Sequence, residues 1–161
     1  MHDSKLPVTD YKADLVVIGA GSGGLSAAAG AAMFGLKVVL YEKHEMGGDC
    51  LNYGCVPSKA LLSAARAAQS ARDAARYGVN LPEPVTDWDA VKAHVRRAIE
   101  TIAPVDSQER FEGLGVTVIR EAASFADPDT ITSATSRTRA RRIVVATGST
   151  AFIPPIEGLA E

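Results

Sequence analysis

The run Ala13-Asp14-Leu15-Val16-Val17-Ile18-Gly19-Ala20-Gly21-Ser22-Gly23-Gly24 decides how this chain folds. Its first six residues are mostly apolar, with β-branched Val16, Val17 and Ile18 in succession. That is the composition of a short strand buried on both faces, as in a parallel sheet. Glycines follow at 19, 21, 23 and 24, and then an alanine run over 25–35 with Leu25, Met33 and Phe34. The order is strand, glycine-rich turn, helix. Gly19, Gly21 and Gly24 hold the G-x-G-x-x-G spacing. The first permits the tight turn, the second lets a pyrophosphate approach the backbone, and the third lets the helix lie close to the strand. The helix start, with Ser22 and Gly23, offers unpaired N–H groups to phosphate.

Residues 36–41 form a second apolar strand, closed by Glu42, which lies 23 positions after Gly19. An acidic residue ~20 positions on is where a carboxylate meets ribose hydroxyls. The same charge would repel a 2′-phosphate. Lys43 is a further candidate contact beside it. The spacing specifies a dinucleotide without choosing between FAD and NAD. An ordinary glycine turn with a surface glutamate is the plain alternative.

The next segment is Gly47-Gly48-Asp49-Cys50-Leu51-Asn52-Tyr53-Gly54-Cys55-Val56-Pro57-Ser58-Lys59, which holds both cysteines of the 161-residue chain. Residues five apart in a straight helix rise ~7.5 Å, whereas a disulfide needs Cα atoms ~4.4–6.8 Å apart. The backbone must bend if the pair is to close, and Asn52 and Gly54 tolerate bends. A cysteine ahead of a helix, with Lys59 a turn beyond Cys55, is expected to ionise below the free value of ~8.5. Buried structural cysteines, half of a metal site and a structural disulfide remain open on the residues alone. A zinc site would need two more ligands, and the histidines at 2, 44 and 94 are scattered.

This thirteen-residue segment resembles the redox-active motif of the class I pyridine nucleotide-disulfide oxidoreductases, the family of dihydrolipoamide dehydrogenase, glutathione reductase and mercuric reductase. The resemblance implies an α/β Rossmann-like FAD-binding domain: a parallel sheet with a helical insertion and a small antiparallel β-meander. It implies FAD on the first βαβ unit, NAD(P)H as the second cofactor of the full-length enzyme, and Cys50–Cys55 as the redox-active disulfide. Cys55 would then lie against the flavin, Cys50 would exchange with substrate, and Lys59 would stabilise the reduced flavin. Gly48 and Asp49 become cofactor contacts; Asp49 replaces the family's usual threonine. Ala-Thr-Gly-Ser at 146–149 resembles a second signature, making Thr147 and Gly148 contacts, with Ala123 a further candidate. Pro57-Ser58-Lys59 looks more like dihydrolipoamide dehydrogenase or mercuric reductase than glutathione reductase. The implied partner is a lipoamide-like disulfide or dithiol, or a metal ion as substrate; no resident metal is expected.

The remaining chain reads in order. Residues 1–12 are a flexible polar lead, 13–150 the FAD-binding domain, and 151–161 a proline-containing connector toward a nicotinamide-binding domain. A long helix is expected over 58–76 with Gly78 as cap, then a rigid linker over 81–85. Thr86 or Asp87 caps a helix whose Trp88, Val91, Val95, Ile99 and Ile102 form one apolar stripe. A short helix over 107–112 and a strand over 115–119 follow. Strands over 122–125, 130–134 and 141–146 complete the pattern. The arginines at 137, 139, 141 and 142 read as a solvated strand edge or turn. The resemblance covers about the first third of a family member, so this chain is expected to be a fragment, inactive by itself and holding FAD at most. The full-length protein is expected to be a homodimer. A net charge of −2 points to neither nucleic acid nor an anionic membrane. No signal-like or spanning apolar run stands out, and the expected location is cytoplasmic.

Overall fold

A computed structural model describes residues 8–149 and 152–159. The elements are β1 (Thr9–Ile18), α1 (Ser22–Met33), β2 (Val38–Tyr41), α2 (Gly48–Asn52), α3 (Cys55–Asp73), α4 (Trp88–Ile102), α5 (Gln108–Gly113), β3 (Thr117–Ile119), β4 (Ser124–Asp127), β5 (Thr130–Thr132) and β6 (Ser136–Val145). They build one six-stranded sheet in the order β3-β2-β1-β6-β5-β4. β1 is parallel to both β2 and β6, and β2 is parallel to β3. β4, β5 and the first half of β6 form the antiparallel meander. The expected α/β architecture is the one observed.

β1 and β6 set the frame. They pair from Thr9↔Ser136 to Ile18↔Val145. This long ladder explains two departures from expectation. Residues Thr9 to Lys12 are strand although they carry no apolar pattern, because β6 supplies their backbone partners; residues 1–7 lie outside the described part. The last strand starts at Ser136, five residues earlier than the apolar run at 141–146 suggests. Along it Ser136, Thr138 and Ala140 are buried while Arg137, Arg139 and Arg141 are exposed. Arg137, Arg139 and Arg141 therefore lie on the solvated face of an interior strand, not on an edge, while Arg142 is exposed at a position of the opposite face. Arg139 pairs with Asp129 at 2.8 Å and Arg141 with Asp14 at 3.5 Å. Both pairs are exposed and worth ~0–1 kcal/mol.

Alternation along the central strands supplies two apolar faces. Val17, Val38 and Leu40 pack with Leu25 and Ala28 of α1 and with Phe111 and Val116. Val16, Ile18, Val39 and Tyr41 pack with Ile131 and Ala140 on the other side. Tyr41 is buried, and its hydroxyl is satisfied by Ser136 Oγ at 2.9 Å and Thr138 Oγ1 at 2.7 Å. A buried phenol keeps its burial energy only with such partners.

The helical insertion is a hairpin of α3 and α4, tied by Ser63 Oγ and His94 Nε2 at 2.9 Å. α3 begins at Cys55, three residues before the sequence pattern does, since Pro57 in a first helical turn costs no hydrogen bond. It runs to Asp73 and tightens into a 3-10 turn closed by left-handed Gly78. Asp87 caps α4 by accepting from the amides of Asp89 and Ala90, both at 3.0 Å. Val91, Val95 and Ile99 of the stripe are half-buried, but Trp88 and Ile102 remain exposed. Residues 152–159 carry no sheet or helix.

Candidate functional site

The chain leaves β1 toward β2 on one side, and β6 flanks β1 on the other. This reversal of strand order places a crevice beyond the carboxyl ends of β1 and β6, the position where open α/β sheets bind ligands. Parallel register brings the ends of these strands together. Ile18 stands beside Tyr41 and Val145, so Gly19, Glu42 and Ala146 are neighbours.

Gly19 has φ +104°, and a Cβ there would lie 2.3 Å from Ala146 O. Gly24 has no room either: a methyl would stand 1.8 Å from Gly19 O. Gly21 and Gly23, by contrast, face open space, with nothing within 4 Å of a built Cβ. No side chain caps α1, and its first turn closes with Leu25 N–H on Gly21 O at 2.9 Å. The amides of Ser22, Gly23 and Gly24 precede that bond and have no helical acceptor. A clear approach to uncommitted amides at a positive helix end fits a pyrophosphate.

Glu42 is buried beside this turn. Its Oε2 accepts from Ala20 N–H at 2.6 Å and its Oε1 from His44 N–H at 2.7 Å. A carboxylate offers about four lone-pair sites, so each oxygen retains capacity for a hydroxyl donor. Lys43 is exposed next to it.

The cysteine segment rests on the same turn. Gly47 N–H donates to Ala20 O at 2.9 Å. Gly48, at φ +56°, lies so close that its Cβ would be 2.7 Å from Gly21 Cα. Asn52 Nδ2 closes the loop on Met46 O at 3.1 Å and Gly48 O at 2.9 Å. Helix α2 then stops, Tyr53 and Gly54 turn out of helical geometry, and α3 starts at Cys55. Gly54 N–H reaches Asp49 O at 2.6 Å, and a Cβ on Gly54 would meet Asp49 Oδ2 at 2.6 Å. The break that pairing of the cysteines would need is therefore present, at Tyr53 and Gly54. It leaves the two cysteines as neighbours: the Cys55 side chain is the group with the largest effect on the Cys50 thiol. Cys50 is half-buried and Cys55 exposed.

The electrostatics of Cys50 correct the expectation of a depressed thiol. The Cys55 side chain, then burial, push the Cys50 thiol up from its ordinary value. Cys50 is the third residue of a five-residue helix, where little dipole accumulates against a neighbouring sulfur.

The chain matches the family model described as pyridine nucleotide-disulphide oxidoreductase over residues 13–161. It belongs to that family. The family is one of flavin-dependent oxidoreductases. A glutathione reductase from Burkholderia cepacia is 36% identical over 148 residues, 92% of this chain and 33% of the relative. A mercuric reductase from Streptomyces lividans is 35% identical over 152 residues, 91% of this chain and 32% of the relative. A dihydrolipoyl dehydrogenase from Acholeplasma laidlawii is 30% identical over 151 residues, 92% of this chain and 44% of the relative. This chain thus spans about a third of the first two relatives and less than half of the third. Their three names differ while their identities are close, so similarity fixes the family and not the substrate.

The family membership gives the other candidate positions a common setting. Thr147 and Gly148 are exposed just past β6, and Thr147 Cα lies 3.2 Å from where a Gly19 Cβ would be. Gly19, Gly21, Ser22, Gly23, Gly24, Glu42, Gly48 and Thr147 therefore gather at one end of the sheet. Lys59 is exposed one turn along α3 from Cys55, and Asp49 is exposed in the first turn of α2. Ala123 stands apart from these, packed against the apolar face that holds Tyr41 and Ile131. Sequence reasoning missed Gly47, whose φ of +84° and contact with Ala20 anchor the cysteine loop. It also missed Asp106 and Arg110, which line a cavity with Cys50. Gly47 was legible as half of a glycine pair before the cysteines; Asp106 carries no local signal, being brought in from 56 positions away.

Proposed function

We propose that this chain is the FAD-binding, disulfide-bearing part of an NAD(P)H-dependent dithiol/disulfide oxidoreductase of the dihydrolipoamide dehydrogenase kind. The observation that carries the reading is the docking of Gly47 and Gly48 on Ala20 and Gly21, which joins a cysteine pair to a dinucleotide turn. Ser22, Gly23 and Gly24 would hold the pyrophosphate through their amides, and Glu42 the ribose hydroxyls. When bound, FAD supplies a two-electron carrier between a nicotinamide and the cysteine pair.

The chain's own residues do the thiol chemistry. The Cys50 thiolate attacks one sulfur of a substrate disulfide and releases the other as a thiolate. Cys55 then attacks the Cys50 sulfur, expels the second substrate thiol and closes the Cys50–Cys55 bond. The pair loses two electrons and the substrate gains them; the reverse sequence oxidises a dithiol. Exchange needs an accessible attacking sulfur, and Cys50 borders a cavity.

Gel filtration of the 161-residue chain after incubation with FAD tests the binding half. The wild-type chain is expected to keep the yellow flavin absorbance, and Cys50→Ser to keep it equally, because Cys50 holds no phosphate or ribose. A colourless wild-type chain, or flavin lost with Cys50→Ser, overturns this assignment.

A further inference from the structure

Both oxygens of Glu42 are held by backbone amides, but the two amides differ in how firmly they are placed. Oε2 accepts from Ala20 N–H at 2.6 Å, and Ala20 is fully buried in the glycine turn. Oε1 accepts from His44 N–H at 2.7 Å, and His44 lies in the exposed stretch 43–45, which is neither helix nor strand. Burial cannot fix that second amide; a further bond must.

The bond comes from the end of β3. Parallel register sets Ile119 beside Tyr41, so Arg120 follows Ile119 as Glu42 follows Tyr41. Glu42 N–H donates to Ile119 O at 3.0 Å, and Arg120 Nη2 donates to His44 O. The next residue, Glu121, is tied to the turn between β5 and β6: it accepts from Thr135 N–H at 3.0 Å and from Thr135 Oγ1 at 2.6 Å. The backbone of Arg120 thus stands between two fixed points while its side chain reaches the loop. Arg120 and Glu42 are opposite in charge and adjacent in register, yet they form no ion pair among the described residues. The guanidinium serves the loop carbonyl instead.

We propose that Arg120 is a positioning residue for nucleotide recognition: by holding the His44 carbonyl it keeps the His44 amide on Glu42 Oε1 and so aims the carboxylate's remaining lone pairs at the ribose hydroxyls. This rests on Glu42 being the ribose acceptor. Peptide units are planar, so the His44 amide and the His44 carbonyl are separated only by the two dihedrals of one residue. Fixing the carbonyl therefore restrains the amide. Without Arg120 the loop swings, Oε1 exchanges its amide for water, and the carboxylate turns about its last bond while Oε2 stays on the glycine turn. An acceptor discriminates between ligands only when neighbouring bonds hold it in the productive direction. The sheet does not need this cation, since β3 is laddered to β2 through backbone groups.

The test titrates the 161-residue chain with ADP and with 2′,3′-dideoxy-ADP by calorimetry. The probes share the base and the pyrophosphate and differ only in the ribose hydroxyls. Wild type is expected to prefer ADP by about tenfold or more, the scale of hydrogen bonds to a charged group. Arg120→Ala is expected to cut this preference to about threefold or less, yet to bind the dideoxy probe within about twofold of wild type, because the amides at the start of α1 are untouched. Arg120→Lys keeps a cationic donor and is expected to retain the preference to within about twofold. An Arg120→Ala chain that keeps the full preference overturns the proposal. So does one that loses both probes alike, which would mark Arg120 as a prop of the fold and not of the carboxylate's direction. A wild-type chain that binds the two probes equally removes the ribose role of Glu42 itself, and the role of Arg120 with it.

Discussion

Gly24→Ala is expected to cost about 3 kcal/mol or more and to lower the melting temperature by roughly 10 °C, or to leave the chain insoluble. The new methyl would lie 1.8 Å from Gly19 O, a backbone atom within the turn itself. No flexible side chain can yield there, so α1 must move off β1 and take Leu25 and Ala28 out of their apolar cluster. Gly30→Ala is the control on the same helix. A Cβ at Gly30 meets nothing within 4 Å, and replacing a helical glycine gains about 0.5–1 kcal/mol. Thermal melts by circular dichroism separate the two. Equal melting of Gly24→Ala and wild type would mean that α1 does not lie against the turn as described.

The second large effect is expected at Glu42. Glu42→Ala removes the acceptors of the Ala20 and His44 amides, and Ala20 is fully buried. Hydrogen bonds to a charged group are worth ~1.5–3 kcal/mol each, and an unsatisfied buried amide costs ~1–3 kcal/mol. Loss of about 3 kcal/mol in urea unfolding follows. FAD affinity should fall at least about tenfold, because the proposed ribose contact and the shape of the turn go together. Glu42→Gln keeps one acceptor oxygen and should lose roughly half as much stability. If Glu42→Ala unfolds like wild type, the carboxylate is not holding the glycine turn. If it is destabilised but binds FAD normally, the ribose assignment fails by itself.

These two residues also show what the sequence made legible. Gly24 was readable because its demand is local: the third glycine of a tight turn must clear a carbonyl five positions back. Glu42 was readable by position, at the end of a strand that parallel pairing had to lay beside β1. Its hold on Ala20 was not, since that bond depends on side-chain direction within a folded crevice. The bend at Gly54 was legible as a condition, since the cysteines could pair only if the backbone left helical geometry; the pairing itself came from the resemblance of residues 47–59 to the family's redox motif. The raised Cys50 thiol was not legible, because the proximity of Cys55 outweighs what a short helix contributes. β6 shows the same division. Its apolar half at 143–145 was plain, whereas 136–142 alternates serine, threonine and alanine with arginine and becomes strand only because β1 and β5 flank it. Asp106 was silent for a related reason: nothing near it in sequence tells that it shares a cavity with a thiol.

The most direct test is to oxidise the reduced chain mildly, at low concentration, and map its cysteines by mass spectrometry. An intramolecular Cys50–Cys55 bond, with both free thiols lost together and regained with dithiothreitol, is the expected result. Two thiols that persist, or that link only between separate chains, would contradict the placement of these cysteines as neighbours above the glycine turn.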